Sequence, residues 1–202
     1  MCAKYTPESI MEQVGSCMVG SSIFPLLAVN TCVECNLLIY RDTVSDMDVE
    51  VVLFGSVEDV DKLNVYSASK YAMTECVKKF KNKPDYVLIH DGARPFIEAK
   101  TIEKTIEKVV KVGAVVVGAP AIDTIKICSE KGEIISTPKR ERVFHAQTPQ
   151  AFKYKEILKA HKELKGENYT DDSSMMEAMG YKVFIVETTH ENKKITFKED
   201  LV

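Results

Sequence analysis

Between Asp85 and Pro120 the chain reads strand, helix, strand, and this run limits the possible folds more than any other feature. "DYVLIH" is an apolar run of strand length, and "TIEKTIEKVVKVG" sets Ile102, Ile106, Val109 and Val110 at helical spacing ahead of a stop at Gly113. "AVVVGAP" is a second apolar, β-branched run. Strands that are apolar on both faces need cover on both faces, which a parallel sheet flanked by helices provides. The expected class is α/β, with a doubly wound, mostly parallel sheet.

After Pro120 the rhythm changes. "DTIKICSEKGEIISTP" alternates Ile125 and Ile127 with polar residues, turns at "SEKGE" and resumes through Ile134 and Ile135, the pattern of a β-hairpin. A hairpin inserted into a doubly wound sheet projects from it as an arm, here residues 121–142. "YKEILKAHKEL" returns to helix, with Ile157, Leu158, His161 and Leu164 on one side, and "YKVFIVET" returns to strand. No internal repeat interrupts the chain. At 202 residues, 45% hydrophobic and 28% charged, it can bury one sizeable core, so residues 1–202 are read as a single domain with that arm.

Charge and cysteine content exclude several classes. A net charge of −3 gives no overall attraction for nucleic acid or an anionic membrane, so any phosphate bound is expected to be small and locally held. No stretch reaches the roughly 18 apolar residues that would read as a membrane span. "MCAKYTPESIMEQVG" lacks the apolar centre of a secretory signal, and a cytoplasmic location is expected. Six dispersed cysteines do not make a disulfide scaffold. The Cys32–Cys35 pair has no second pair to complete a zinc ribbon and reads as accidental spacing.

The candidate site lies where "DYVLIH" ends, in "HDGARPF". Ligands of open α/β sheets sit beyond the carboxyl ends of strands. There Asp91 can hold Mg²⁺ against phosphate oxygens and Arg94 can grip a phosphate in bidentate fashion. The bland alternative is that Asp91 begins a turn and Arg94 pairs with it.

Five segments then occur in a particular order and spacing: "DYVLIHDGARPFI", "IDTIKI", "RERVFHAQTPQAF", "YTDDSSMMEAMGYKV" and "ENKKITFKEDL". Together they resemble the methylerythritol-phosphate cytidylyltransferases of non-mevalonate isoprenoid synthesis, over about residues 85–202. The ribitol-phosphate cytidylyltransferases have a similar layout, but "HDGARPF" is closer to the methylerythritol-phosphate type. The resemblance implies a Rossmann-like fold of the nucleotide-diphospho-sugar transferase kind, homodimeric through its arm. It also implies transfer of a cytidylyl group from CTP to 2-C-methyl-D-erythritol 4-phosphate with Mg²⁺ or another divalent cation.

It further assigns roles residue by residue. Asp91 matches the aspartate over the metal and both substrate phosphates, and Gly92 and Arg94 belong to the same loop. Thr124 and Arg140 match arm residues that reach a partner's sugar phosphate. Thr148 matches a residue lining the substrate pocket, and Thr170 with Asp171 matches the family's Thr-Asp pair near the same site. Lys194 matches the lysine that stabilises the phosphates in the transition state. His90 reads as strand-end packing, because a phosphate nucleophile already ionised near neutral pH needs no base.

The N-terminal part departs from that pattern. Family members open on a glycine-rich loop that holds the triphosphate, whereas the glycines before Asp91 are Gly15, Gly20 and Gly55, with no Gly-x-Gly and no arginine before Arg41. "DVEVVLFGSVEDVDKL" still resembles the family's second strand and following helix. The departure supports one alternative, an inactive or weakened relative kept as a binding protein. "YSASK", with Tyr66 and Lys70, offers a remote second, a short-chain dehydrogenase, but the cofactor loop such enzymes need is missing.

Overall fold

The computed structural model describes residues 26–32, 37–41, 62, 83–91, 93–94, 96–164, 169–196 and 200, with backbone alone for 26–32 and 37–41. The reading of 48–63 as strand and helix lies outside these residues apart from Lys62, and so do Tyr66, Lys70 and Gly92.

The strand–helix–strand run forms as expected. Strand β3 (Tyr86–Asp91), helix α1 (Ala99–Val112) and strand β4 (Ala114–Pro120) follow one another, and β4 is buried almost throughout. Gly113 closes α1 in the left-handed region at φ 90° and donates its N–H to the Val109 carbonyl at 2.7 Å. Ile102, Ile106 and Val109 are buried, but Val110 is 46% exposed. The buried stripe runs instead through Thr101 and Thr105. Burial of Thr105 is tolerated because its hydroxyl donates to the Thr101 carbonyl at 2.7 Å, one turn back.

The main sheet is completed by β1 (Leu26–Cys32), β2 (Leu37–Arg41), β7 (Phe144–Lys153) and β8 (Phe184–Glu187), in the order β2-β1-β3-β7-β4-β8. β1 is parallel to β3, and β4 is parallel to β8. β7 lies antiparallel between β3 and β4, and β2 is antiparallel to β1, so β1, β3, β4 and β8 share one direction. Most strands of the sheet therefore run parallel, as the apolar runs suggested, while β2 and β7 run against them and make its pairing mixed. β7 escapes a sequence reading because "FHAQTPQAFK" neither alternates nor stays apolar. Its Pro149 falls opposite the register shift between Val116 and Gly118, where the ladder asks less of the missing N–H.

Successive residues of these strands feed opposite layers. Leu88, Val115, Ala151 and Val186 pack with Ile102, Ile106 and Val109 of α1. Val87, Ala114 and Phe152 pack with Ile157 and Ala160 of α2 (Tyr154–Glu163) and with Met175 and Met176 of α3 (Asp172–Ala178). His161, read as part of the apolar side of α2, is half-buried and bonds the Asp172 carboxylate at 2.8 Å, tying α2 to α3.

The arm is a separate two-stranded hairpin of β5 (Ile127–Cys128) and β6 (Ile134–Ser136). Gly132 takes φ 84° in its turn, where the Ser129 N–H donates to the Glu133 carbonyl and the Gly132 N–H to the Ser129 carbonyl. Ile122, Ile127, Ile134 and Ile135 are all exposed on it.

Candidate active site

The carboxyl end of β3 carries the site. Asp91 is its last residue, and the Arg94 N–H donates to the Asp91 carbonyl at 3.0 Å, so the chain turns at once and brings both side chains to the same place. Arg94 Nε lies 3.5 Å from Asp91 Oδ2 and makes no hydrogen bond there, so the pairing is an ion pair only. Its guanidinium is held from the other side, donating from Nη1 to the Asn192 carbonyl at 2.9 Å. Burial pulls the Arg94 guanidinium below its ordinary value, and the Asp91 carboxylate opposes that shift.

Lys194 arrives from the segment after β8. Its ammonium stands 3.2 Å from the same Oδ2, and the Ile195 N–H donates to the Ala93 carbonyl at 2.7 Å, pinning this segment to the Asp91 loop. Asn192 anchors it from beneath. Its buried amide donates to Gln147 Oε1 and to the Thr148 carbonyl, both at 2.9 Å. Its Oδ1 is buried and unpartnered among the described residues.

Thr148, on β7, faces Asp91 across the sheet. The Asp91 N–H donates to Thr148 Oγ1 at 2.9 Å, and His90 Nδ1 lies 3.0 Å from the same oxygen. The other nitrogen of that ring, Nε2, lies 3.1 Å from the Arg94 carbonyl. Burial lowers His90 from 6.5 to about 4, outweighing the Arg94 carbonyl and the Asp91 charge, which favour the protonated ring.

Asp171 has a structural task at the start of a helix. It is the N-cap of α3, accepting from the Ser174 N–H at 2.9 Å, the Ser173 hydroxyl at 2.7 Å and the Gln150 amide at 2.9 Å, with Ser174 completing a capping box. Burial would raise its carboxyl, but these bonds more than offset it and hold the group below its ordinary value. Gln150 also accepts from the Ser173 N–H, so α3 begins against β7 two residues beyond Thr148. Thr170, just before the cap, is exposed.

The structure thus brings Asp91, Arg94, Thr148 and Lys194 together and places Asp171 on the same strand's flank. Thr124 and Arg140 stand apart on the arm, both exposed; Arg140 donates to the Ile122 carbonyl at 3.1 Å and so braces the base of its own arm. Gly92 lies outside the described residues. Asn192, Gln147 and Gln150 were not singled out from sequence. Three amides in or beside apolar strands were the available signal, since buried carboxamides persist only where partners await them.

Residues 39–202 match the family model for 2-C-methyl-D-erythritol 4-phosphate cytidylyltransferase. Among curated relatives of that description, the one from Clostridium botulinum (strain Loch Maree / Type A3) is 40% identical over 163 residues, 80% of this chain and 67% of its own length. The one from Desulforamulus reducens is 43% identical over 120 residues, 58% of this chain and 51% of its own length. The chain therefore spans about half to two thirds of the curated relatives it matches. Among solved structures, the 4-diphosphocytidyl-2C-methyl-D-erythritol synthase from Anaerococcus prevotii superposes with TM-score 0.60 at 35% identity, covering 63% of this chain and 60% of that one. The cytidylyltransferase from Thermus thermophilus gives 0.55 at 31% identity, covering 66% and 64%.

Proposed function

Because the chain belongs to the 2-C-methyl-D-erythritol 4-phosphate cytidylyltransferase family, we propose that it forms 4-diphosphocytidyl-2-C-methyl-D-erythritol and pyrophosphate from CTP and 2-C-methyl-D-erythritol 4-phosphate. The observation that carries this reading is the meeting of Lys194, Arg94 and Asp91 at the end of a buried strand, two cations converging on one carboxylate oxygen. Such a group suits the joining of two polyanions.

The reaction is an in-line displacement. A phosphate oxygen of the sugar phosphate attacks the α-phosphorus of CTP, a new P–O bond forms, the bond to the β-phosphate bridge breaks, and pyrophosphate takes that electron pair. The nucleophile is ionised near neutral pH, so no side chain has to remove a proton. What the protein must supply is alignment and countercharge as charge builds on the α-phosphate. Lys194, exposed and mobile on its stem, is suited to follow that charge; Arg94, half-buried and tied to Asn192, is suited to hold a phosphate in a fixed plane. Thr170 and Asp171 border the same strand, and Thr124 and Arg140 would serve the sugar phosphate from a partner's arm.

A magnesium ion fits Asp91. Mg²⁺ in nucleotide sites is commonly held by one or two carboxylates and substrate phosphates, with water completing its shell. The Asp91 side chain is 37% exposed, and both neighbouring cations approach its Oδ2. No group of three or more His, Cys, Asp or Glu that could hold a metal ion occurs among the described residues, so an ion here would depend on the substrate phosphates for its other ligands. When bound it would neutralise triphosphate charge.

The arm, with its exposed isoleucines, supports a homodimer in which each arm meets the other subunit. Among the described residues no helix is long and apolar enough to cross a membrane.

The test is pyrophosphate release from CTP and 2-C-methyl-D-erythritol 4-phosphate with Mg²⁺, beside a Lys194→Ala control. Release that needs both substrates and collapses in the control supports the reading. No release from folded protein would overturn it in favour of a non-catalytic binding protein.

A further inference from the structure

His90 is 4% exposed, yet both of its ring nitrogens have polar neighbours, and their identities fix where its proton lies. Nε2 faces the Arg94 carbonyl, which can only accept, so the hydrogen of the neutral ring is on Nε2. Nδ1 is then a bare lone pair, and the hydroxyl 3.0 Å away must donate to it. That hydroxyl belongs to Thr148, whose single proton is thereby committed, while its oxygen accepts the Asp91 N–H at 2.9 Å. The Arg94 N–H returns to the Asp91 carbonyl at 3.0 Å and closes the circuit. Every donor in it has one direction, and both charged residues of the strand end are clamped by it.

We propose that His90 is a positioning residue that holds the Asp91–Arg94 loop in its working geometry through the Thr148 hydroxyl and the Arg94 carbonyl. The inference rests on the reading of Asp91 and Arg94 as the reaction centre. It also changes the role of Thr148: with its proton given to His90, the hydroxyl has nothing to donate to a substrate oxygen and acts on the reaction through Asp91. A phenylalanine at position 90 would fill similar volume without either bond, leaving the Thr148 hydroxyl free to turn and the Arg94 carbonyl without its donor.

Two measurements on the full chain test it. The first, which needs no activity, follows amide exchange at Asp91 and the imidazole nitrogens by NMR at neutral pH. Expected are a pyrrole-like Nε2, a pyridine-like Nδ1 and a protected Asp91 amide. Exchange at Asp91 should rise roughly tenfold or more in His90→Phe and in Thr148→Val, while core strand amides hold. His90→Asn, whose carboxamide oxygen stands near the place of Nδ1, should recover much of that protection. Thr148→Val carries the test should His90→Phe fail to fold. The second is kinetic. His90→Phe should lower kcat by about a hundredfold with little change in KM for CTP. The double variant with Thr148→Val should be no slower than the slower single, because both break one circuit. An Asp91 amide indifferent to both substitutions, a proton on Nδ1, or losses that multiply in the double variant would each overturn the proposal. If the wild-type chain releases no pyrophosphate while the Asp91 amide responds as stated, the enzymatic reading fails and the positioning role stands.

Discussion

The Lys194 ammonium sits 3.2 Å from Asp91 Oδ2, and both side chains are substantially exposed, at 48% and 37%. A pair this open contributes little to stability, about 0–1 kcal/mol. Lys194→Ala should therefore unfold at nearly the wild-type urea concentration while kcat for pyrophosphate release drops by about 10²–10³, the range for loss of one group that stabilises transition-state charge. A parallel fall in the unfolding midpoint would make Lys194 structural instead.

Asn192 should behave in the opposite way. Its amide satisfies Gln147 Oε1 and the Thr148 carbonyl, and its own carbonyl receives Arg94. Asn192→Leu strands two acceptors in a buried place, at a cost of roughly 1–3 kcal/mol for each unsatisfied group. Urea unfolding followed by circular dichroism should show that loss, and turnover should fall as well because Lys194 rides on the same segment. An unchanged midpoint would show that this amide does not secure the segment.

Acid should weaken the fold in two separate windows. His90 stays neutral in the folded chain down to about 4, whereas the unfolded chain takes up its proton near 6.5. Over that interval the unfolded state binds more protons, so stability is full above it and declines as pH falls through it. Asp171 acts lower: its hydrogen-bonded carboxylate stabilises above the ordinary carboxyl value, and that contribution is lost as pH falls through its depressed folded value. His90→Phe should flatten the first window alone. Asp171→Ala should flatten the second and cost about 1–2 kcal/mol at neutral pH, the worth of an N-cap. Urea midpoints measured from pH 7 to pH 3 separate the two.

The arm gives a prediction about assembly. Ile122 and Ile135 are 64% and 66% exposed and support no part of the core of their own chain. In the proposed homodimer, replacing both with aspartate should leave circular dichroism and melting of the subunit fold intact while halving the mass seen by light scattering. A mass that does not change would remove the arm from the dimer interface.

Much of this was legible in the residues. Long periodic segments such as "TIEKTIEKVV" and "AVVVGAP" carry their own period, and the hairpin turn is written in its Gly132. Asp91, Arg94 and Lys194 were placed by motif, and they do meet. What escaped was the cross-chain chemistry. β7 is stabilised by neighbours on both sides more than by its own pattern, so its polar residues and Pro149 concealed a central strand. Asp171 also carries an Asp-x-x-Ser cap, a structural task that the Ser174 and Gln150 bonds reveal. Val110 has helical spacing, but Thr101 and Thr105 are buried in its stead, Thr105 bonding the Thr101 carbonyl and Thr101 meeting the Thr188 hydroxyl.

The arm leaves the sheet at Pro120 and returns at Phe144, with the Ala121 N–H donating to the Val143 carbonyl at 2.9 Å across the gap. Its return limb is thus the start of the very strand on which Thr148 stands. The exposed hairpin and the Thr148 carbonyl and hydroxyl that hold Asn192 and Asp91 are therefore joined by one continuous run of backbone.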